Sequence, residues 1–421
     1  MYNLNIPVAQ AELSNGLRIV HSYDGTTAMA AVNILYNVGS RDERRDLTGM
    51  AHLFEHLMFG GSVNVPNFDT VLTRAGGSNN AWTSTDFTNF YETIPAQNID
   101  TAFYLESDRM LQLAFNQRSL DVQKGVVIEE FKQRSIDAPF GDLMHHLRAL
   151  LYSPTHPYSW PTIGLVPEHI AKVTMQEVKE WFYSHYAPNN AILSVSGNVD
   201  FDKTIALAEK WFGDIPRREI KPRILPDPGF PTEKAYKRIE GNVPVPLMVL
   251  AFPMSAYGTQ AYFAADAITD LLSQGQAARF PTDIVFNRGR GLITDCDASI
   301  IGSEHEGLIL VMAYLAKNTP QAFDDAEKLI IDEMRKLSVP GNISHEELER
   351  CFNRFEAEFR FGNIGYLARA TRLATATYHG EDINSTVADR RALTAADIAA
   401  EADRLFNINP YARLDYAIAQ N

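Results

Sequence analysis

The sequence predicts an α+β fold of two similar domains related by duplication, and three observations point to it. At 421 residues the chain is too long for one ordinary core. Short apolar runs of strand character alternate with amphipathic helical runs along the first half. Five prolines, Pro216, Pro222, Pro226, Pro228 and Pro231, then forbid a continuous helix or central strand, and beyond them the strand-then-helix pattern starts again. The organisation expected is a first domain over residues 1–220, a linker over 221–234 and a second domain over 235–421.

The elements follow in order. Residues 17–20 and 30–36 read as strands, the second closing on the turn signal Gly39-Ser40. Residues 48–59 read as a helix, with Thr48 placed to cap it and Gly60-Gly61 to stop it. A second helix is expected over 68–75, ending at Gly76-Gly77. Residues 81–94, rich in Trp, Thr, Phe and Tyr, read as a strand or hairpin. Residues 99–113 and 120–135 read as amphipathic helices, and 191–196 as an apolar strand. Past the linker, 246–252 reads as a strand and 262–272 as a helix. The stretch HLFEHLMFGG from His52 and the stretch DAITDLLSQG from Asp266 each follow a strand at a similar distance. They read as two copies of one unit, the second without metal ligands.

A formal net charge of -14 argues against nucleic-acid and anionic-membrane partners and mildly favours neutral or basic substrates. Cys296 and Cys351 have neither disulfide-framework nor metal-ligand spacing, so both are expected as buried free thiols in a reducing compartment. Residues 1–11 lack a basic region followed by an apolar stretch, and no segment reaches the apolar length of a membrane span. The expected location is cytoplasmic.

His52, Glu55 and His56 stand at i, i+3 and i+4, which share one face of a helix. Two imidazoles one turn apart can hold one zinc ion, and the carboxylate between them can take a proton from a water at that ion. The HxxEH order is the inversion of HExxH. Leu53, Phe54, Leu57, Met58 and Phe59 make the helix largely apolar, so its polar residues need partners that a metal would supply. A third ligand belongs on a later helix, where Glu129 and Glu130 are adjacent and only one can face the site. Glu129 is read as part of a solvated face.

The stretches GMAHLFEHLMFGGS, GGSNNAWTSTDFTNFYETIP, LESDRM, VVIEEFKQR, HPYSWPTIG, YAPNNAILSVSGN and LLSQGQAARF occur in this order. Together they resemble the pitrilysin family of zinc peptidases. The resemblance implies two α/β sandwich domains, each a mixed, mostly antiparallel sheet packed with helices. It implies a zinc metalloendopeptidase with Glu55 as general base and one zinc on His52, His56 and Glu130. Gln123 stands where the family usually has a supporting glutamate. Peptides are expected to bind as an added strand along Asn79, Asn80, Ala81, Trp82 and Thr83, with packing at least as good a reading for Phe87.

One departure concerns an Arg-x6-Tyr pair that the family usually carries in its second half to bind the substrate carbonyl. Its positions fall on Val285 and Leu292, or on Asn287 and Thr294, depending on the side from which the stretch is aligned. No tyrosine lies seven residues after Arg279, Arg288 or Arg290. The expectation is therefore a catalytic subunit completed by a homologous zinc-free chain in a heterodimer. The alternatives are a self-sufficient homodimer and, against the intact HxxEH, a non-catalytic scaffold subunit.

Overall fold

The computed structural model describes residues 5–419. Two sheets form, each packed with helices. The first has six strands in the order β1-β2-β6-β3-β5-β4. These are β1 Ala9–Glu12, β2 Arg18–Tyr23, β3 Met29–Tyr36, β4 Ser78–Thr83, β5 Thr88–Pro95 and β6 Ala191–Gly197. β2 and β6 run parallel and every other pairing is antiparallel. The segment expected as a strand or hairpin is thus the hairpin β4–β5, with β4 on the outer edge.

Alternation along β3 explains its central place. Val32, Ile34 and Tyr36 point into the apolar core with Leu193 and Val195 of β6. Asn33 points the other way and exchanges two 2.8 Å hydrogen bonds with Asn89. Both faces of β3 are buried because the helix Tyr366–His379, from the far end of the chain, covers β2, β3 and β6.

The second sheet has the order β7-β11-β8-β10-β9. Its strands are β7 Ala235–Gly241, β8 Leu247–Met254, β9 Ile293–Ile301, β10 Gly307–Leu315 and β11 Ala412–Ile418. Again the last strand runs parallel to the first and the rest are antiparallel. Leaving out β1, the two sheets share one topology, which is the expected duplication expressed in strand order.

The division into units differs from two contiguous halves joined at 221–234. Residues 216–231 carry neither helix nor strand, as the prolines require. One unit, however, combines the chain up to Lys132 with Trp160–Leu225 and Glu358–Thr386, and the other combines Gln133–Ser159, Pro226–Ala357 and the chain from Val387. The reason is an exchange of helices. The helix Leu143–Leu151 buries Leu143, Leu147 and Leu151, an i, i+4, i+8 stripe, and lies on β7 and β11. Each such leucine contributes roughly 1.5–3 kcal/mol of burial, which holds the helix on the second sheet although it precedes the linker. Cys296 and Cys351 are buried free thiols. Among the described residues no helix is long and apolar enough to cross a membrane.

Candidate metal centre

The helix α1, Met50–Leu57, buries Met50, Ala51, Leu53, Phe54 and Leu57 against the first core, which turns Glu55 and His56 to its open side. Its start differs from the expectation. The cap position is Gly49, at φ 87, not Thr48. A Cβ there would stand 2.7 Å from Ile170 Cδ1 and would strain the left-handed backbone, so glycine is required. The cap is supplied from a distance, since Glu43 accepts hydrogen bonds from the N–H groups of Gly49 at 3.0 Å and Ala51 at 2.8 Å. Burial pushes the Glu43 carboxyl well above the usual range, against these two donors, which favour its charged form. Thr48 instead accepts from Leu165 N at 2.8 Å.

A further helix, α2, Phe68–Arg74, ends near the glycines Gly76-Gly77, as expected. The helices α3, Ile99–Leu111, and α4, Gln117–Phe131, occupy the two stretches read as amphipathic. Asn116 caps α4 by accepting from Arg118 N at 2.8 Å. α4 packs against α1 and presents Glu130 to it. Glu130 Oε2 lies 3.4 Å from His56 Nε2 and 3.8 Å from His52 Nε2. The two imidazole rings are 4.9 Å apart and nearly perpendicular. One ligand atom from each of the three residues falls within 4.8 Å of the others, the single such group among the described residues.

Donors about 2.0–2.1 Å from a tetrahedral zinc stand roughly 3.3 Å from one another, so these separations suit one ion with two nitrogen ligands and one oxygen ligand. The adjacent Glu129 is 62% exposed and pairs with Lys132 at 2.6 Å, turned away from the two imidazoles. The choice between the two glutamates, open from spacing alone, is thereby made by helix direction. Gln123 sits one heptad before Glu130 and is half-buried.

The other residues expected at the site lie on β4. Thr83 donates a 2.5 Å hydrogen bond to Glu55 Oε2. Ala81 packs on the core, and Asn79 donates to Asp69 at 2.8 Å. Asn80 accepts from the N–H of Ala81. Trp82 is exposed on the opposite face, edge-on to Phe87 at 5.1 Å. Phe87 is buried and contacts Tyr378 at 5.3 Å, so for this residue packing is the outcome.

Sequence reasoning missed what supports the centre. Arg109 is wholly buried, bonds Glu106 through Nε at 2.9 Å and lies 3.3 Å from Glu92. Its guanidinium also lies over the rings of Phe59, Phe68 and Phe90. Burial and the neighbouring Glu106 push the Glu92 carboxyl well above the usual range, with Arg109 acting against them. Asp108 accepts from Ser62 Oγ at 2.5 Å and from Asn64 N at 3.0 Å, which fixes the chain as it leaves α1. Three charges within four residues, Glu106, Asp108 and Arg109, between the apolar Leu105 and Met110 were the available signal. Arg109→Leu is expected to cost about 3–5 kcal/mol, because it strands buried acids. Urea denaturation would show this, with Lys132→Ala as a near-neutral control; equal midpoints for the two variants would contradict it.

The second sheet has its own helix at the place of α1, Gln260–Ser273. There Asp266 and Asp270 face the guanidinium of Arg390 at 2.7 and 2.8 Å, so a side chain supplies the cation.

Comparison with known proteins adds the following. Residues 18–148 match the family described as Insulinase (Peptidase family M16), and residues 172–362 match the Peptidase M16 inactive domain. The zinc protease PqqE of Helicobacter pylori is 28% identical over 359 residues, covering 82% of this chain and 78% of that protein. The mitochondrial-processing peptidase subunit beta of Saccharomyces cerevisiae is 26% identical over 264 residues, covering 61% of this chain and 56% of that one. A solved protease structure from Helicobacter pylori superposes with a TM-score of 0.86 at 24% identity, covering 98% of this chain and 99% of that chain, a likeness of fold.

Proposed function

We infer, from the premise that this chain belongs to the M16 (insulinase, pitrilysin-like) family of zinc proteases, that it is a zinc-dependent endopeptidase acting on peptides. The observation that carries the reading is the convergence of His52, His56 and Glu130 with Glu55 beside them on the same helix. A zinc ion held by those three residues would supply Lewis acidity to the attacking water and the scissile carbonyl. Glu55, on the open side of α1, accepts the proton of the attacking water on its carboxylate and delivers it to the leaving amine nitrogen. Among the described residues β4 is an edge strand, and that edge suits an extended peptide, whose backbone can hydrogen-bond there without regard to sequence. The net charge of -14 disfavours acidic peptides.

The reading includes a partner. Neither alignment of the family's Arg-x6-Tyr pair finds those residues, and Thr294, at one of the positions, is committed to Tyr314 O at 3.1 Å. A homologous, zinc-free chain in a heterodimer would supply the missing donors; a homodimer using other donors is the alternative. One relative, the yeast protein above, is itself named as a subunit. The intact cluster and Glu55 speak against a scaffold role. A positioned donor to the developing oxyanion is worth roughly 3 kcal/mol, about 100-fold in rate. Mixing this chain with a homologue that has Arg-x6-Tyr but no HxxEH should raise peptide cleavage by about that factor. Mutating the homologue's Arg or Tyr should remove the gain. Full activity from this chain alone would overturn the partner and leave the peptidase reading standing.

A further inference from the structure

We propose that Thr83 is a positioning residue that aims the Glu55 carboxylate, and that it does not contact substrate through its side chain; this rests on the reading of Glu55 as the general base. Its hydroxyl donates to Glu55 Oε2 at 2.5 Å, so the one donor hydrogen of the Thr83 side chain is already committed. Thr83 shares its strand face with Ala81, which packs on the core toward α1, whereas Trp82 projects the other way.

The surrounding structure holds both ends of this hydrogen bond. Thr83 is the last residue of β4 and pairs with Thr88 across the hairpin. The turn that follows is fixed by Ser84, whose Oγ accepts from the N–H groups of Asp86 and Phe87 at 3.1 and 3.0 Å. That turn is tied to residues 39–43. Ser40 N donates to Ser84 O, Arg41 N donates to Thr85 O, and the buried Arg41 guanidinium pairs with Asp86 at 2.9 Å. The same segment supplies Glu43, the cap of the helix that carries Glu55. One short segment therefore sets the position of the donor and of the acceptor. The side chain of Thr83 thus links the strand expected to take the peptide to the proposed base. A carboxylate displaced by about 1 Å can lose on the order of 100-fold in rate without any loss of binding.

The test compares Thr83→Val, which keeps the shape and removes the hydroxyl, with Thr83→Ser, which keeps the hydroxyl. Thr83→Val should lower kcat by about 10- to 100-fold with KM within about twofold, and Thr83→Ser should restore most of kcat. Zinc content should be unchanged in both, since Glu55 is outside the ligand set. Independently of turnover, a fluorescent peptide should bind Glu55→Gln and the double variant Glu55→Gln/Thr83→Val with the same affinity. Weaker binding by the double variant would make Thr83 a substrate contact and overturn the proposal. A wild-type kcat for Thr83→Val, beside an inert Glu55→Gln, would also overturn it while sparing the base. Near-normal turnover by Glu55→Gln would remove the base reading itself, and the role of Thr83 with it.

Discussion

Glu55→Gln is expected to abolish peptide hydrolysis, by roughly 10²–10⁴-fold or more, while the protein still takes up one zinc ion. The two halves of this expectation come from separate observations. Loss of turnover follows from chemistry, because an amide side chain has the shape of a carboxylate but cannot accept the proton of an attacking water. Retention of metal follows from geometry, because the cluster of candidate ligand atoms consists of His52, His56 and Glu130, and Glu55 is instead engaged by Thr83. The buried side of α1 is untouched by the substitution, so folding should be preserved. Steady-state hydrolysis of a quenched fluorescent peptide and metal analysis of the same preparation check both halves. Cleavage by Glu55→Gln at close to the wild-type rate would exclude the proposed proton acceptor.

Glu130→Gln is expected to lose most of the bound zinc, and Glu129→Gln to keep it. The residues are neighbours in sequence, carry the same charge and sit on one helix, so net charge and helix propensity cannot separate them. Direction can: Glu130 Oε2 faces both imidazoles at 3.4 and 3.8 Å, and Glu129 faces solvent and Lys132. An amide oxygen is a weaker, uncharged ligand, and removing one of three protein ligands opens the site. Zinc retention measured after dialysis against a mild chelator distinguishes the two variants. Equal retention would remove Glu130 from the ligand set.

The parts of this site that could be read from the sequence are those that depend on local periodicity. His52, Glu55 and His56 share a face because 3.6 residues make a turn, and the apolar residues between them define the buried side. The hairpin, the helices around it and the restart after the prolines are legible for the same reason. The distinction between Glu129 and Glu130 was not, since it depends on which face of α4 meets α1; there the resemblance to a family supplied what spacing could not. The cap of α1 was misplaced at Thr48 because the true acceptor, Glu43, reaches the helix across a loop. Helix exchange was likewise invisible. Nothing in Leu143, Leu147 and Leu151 states which of two sheets they cover. The side chain of Thr83, expected along a peptide, was found on Glu55, a contact between residues 28 apart in the chain that neither pattern nor spacing encodes.

The central claim is that this chain is a zinc-dependent peptidase, and its most direct test is a zinc titration of the chelator-stripped protein. Occupancy would be followed by native mass spectrometry and hydrolysis by a quenched fluorescent peptide in the same samples. The account requires negligible cleavage without metal, then cleavage that rises in proportion to occupancy and levels off at one zinc per chain. Undiminished cleavage by the metal-free chain, or a protein that binds no zinc, would contradict it.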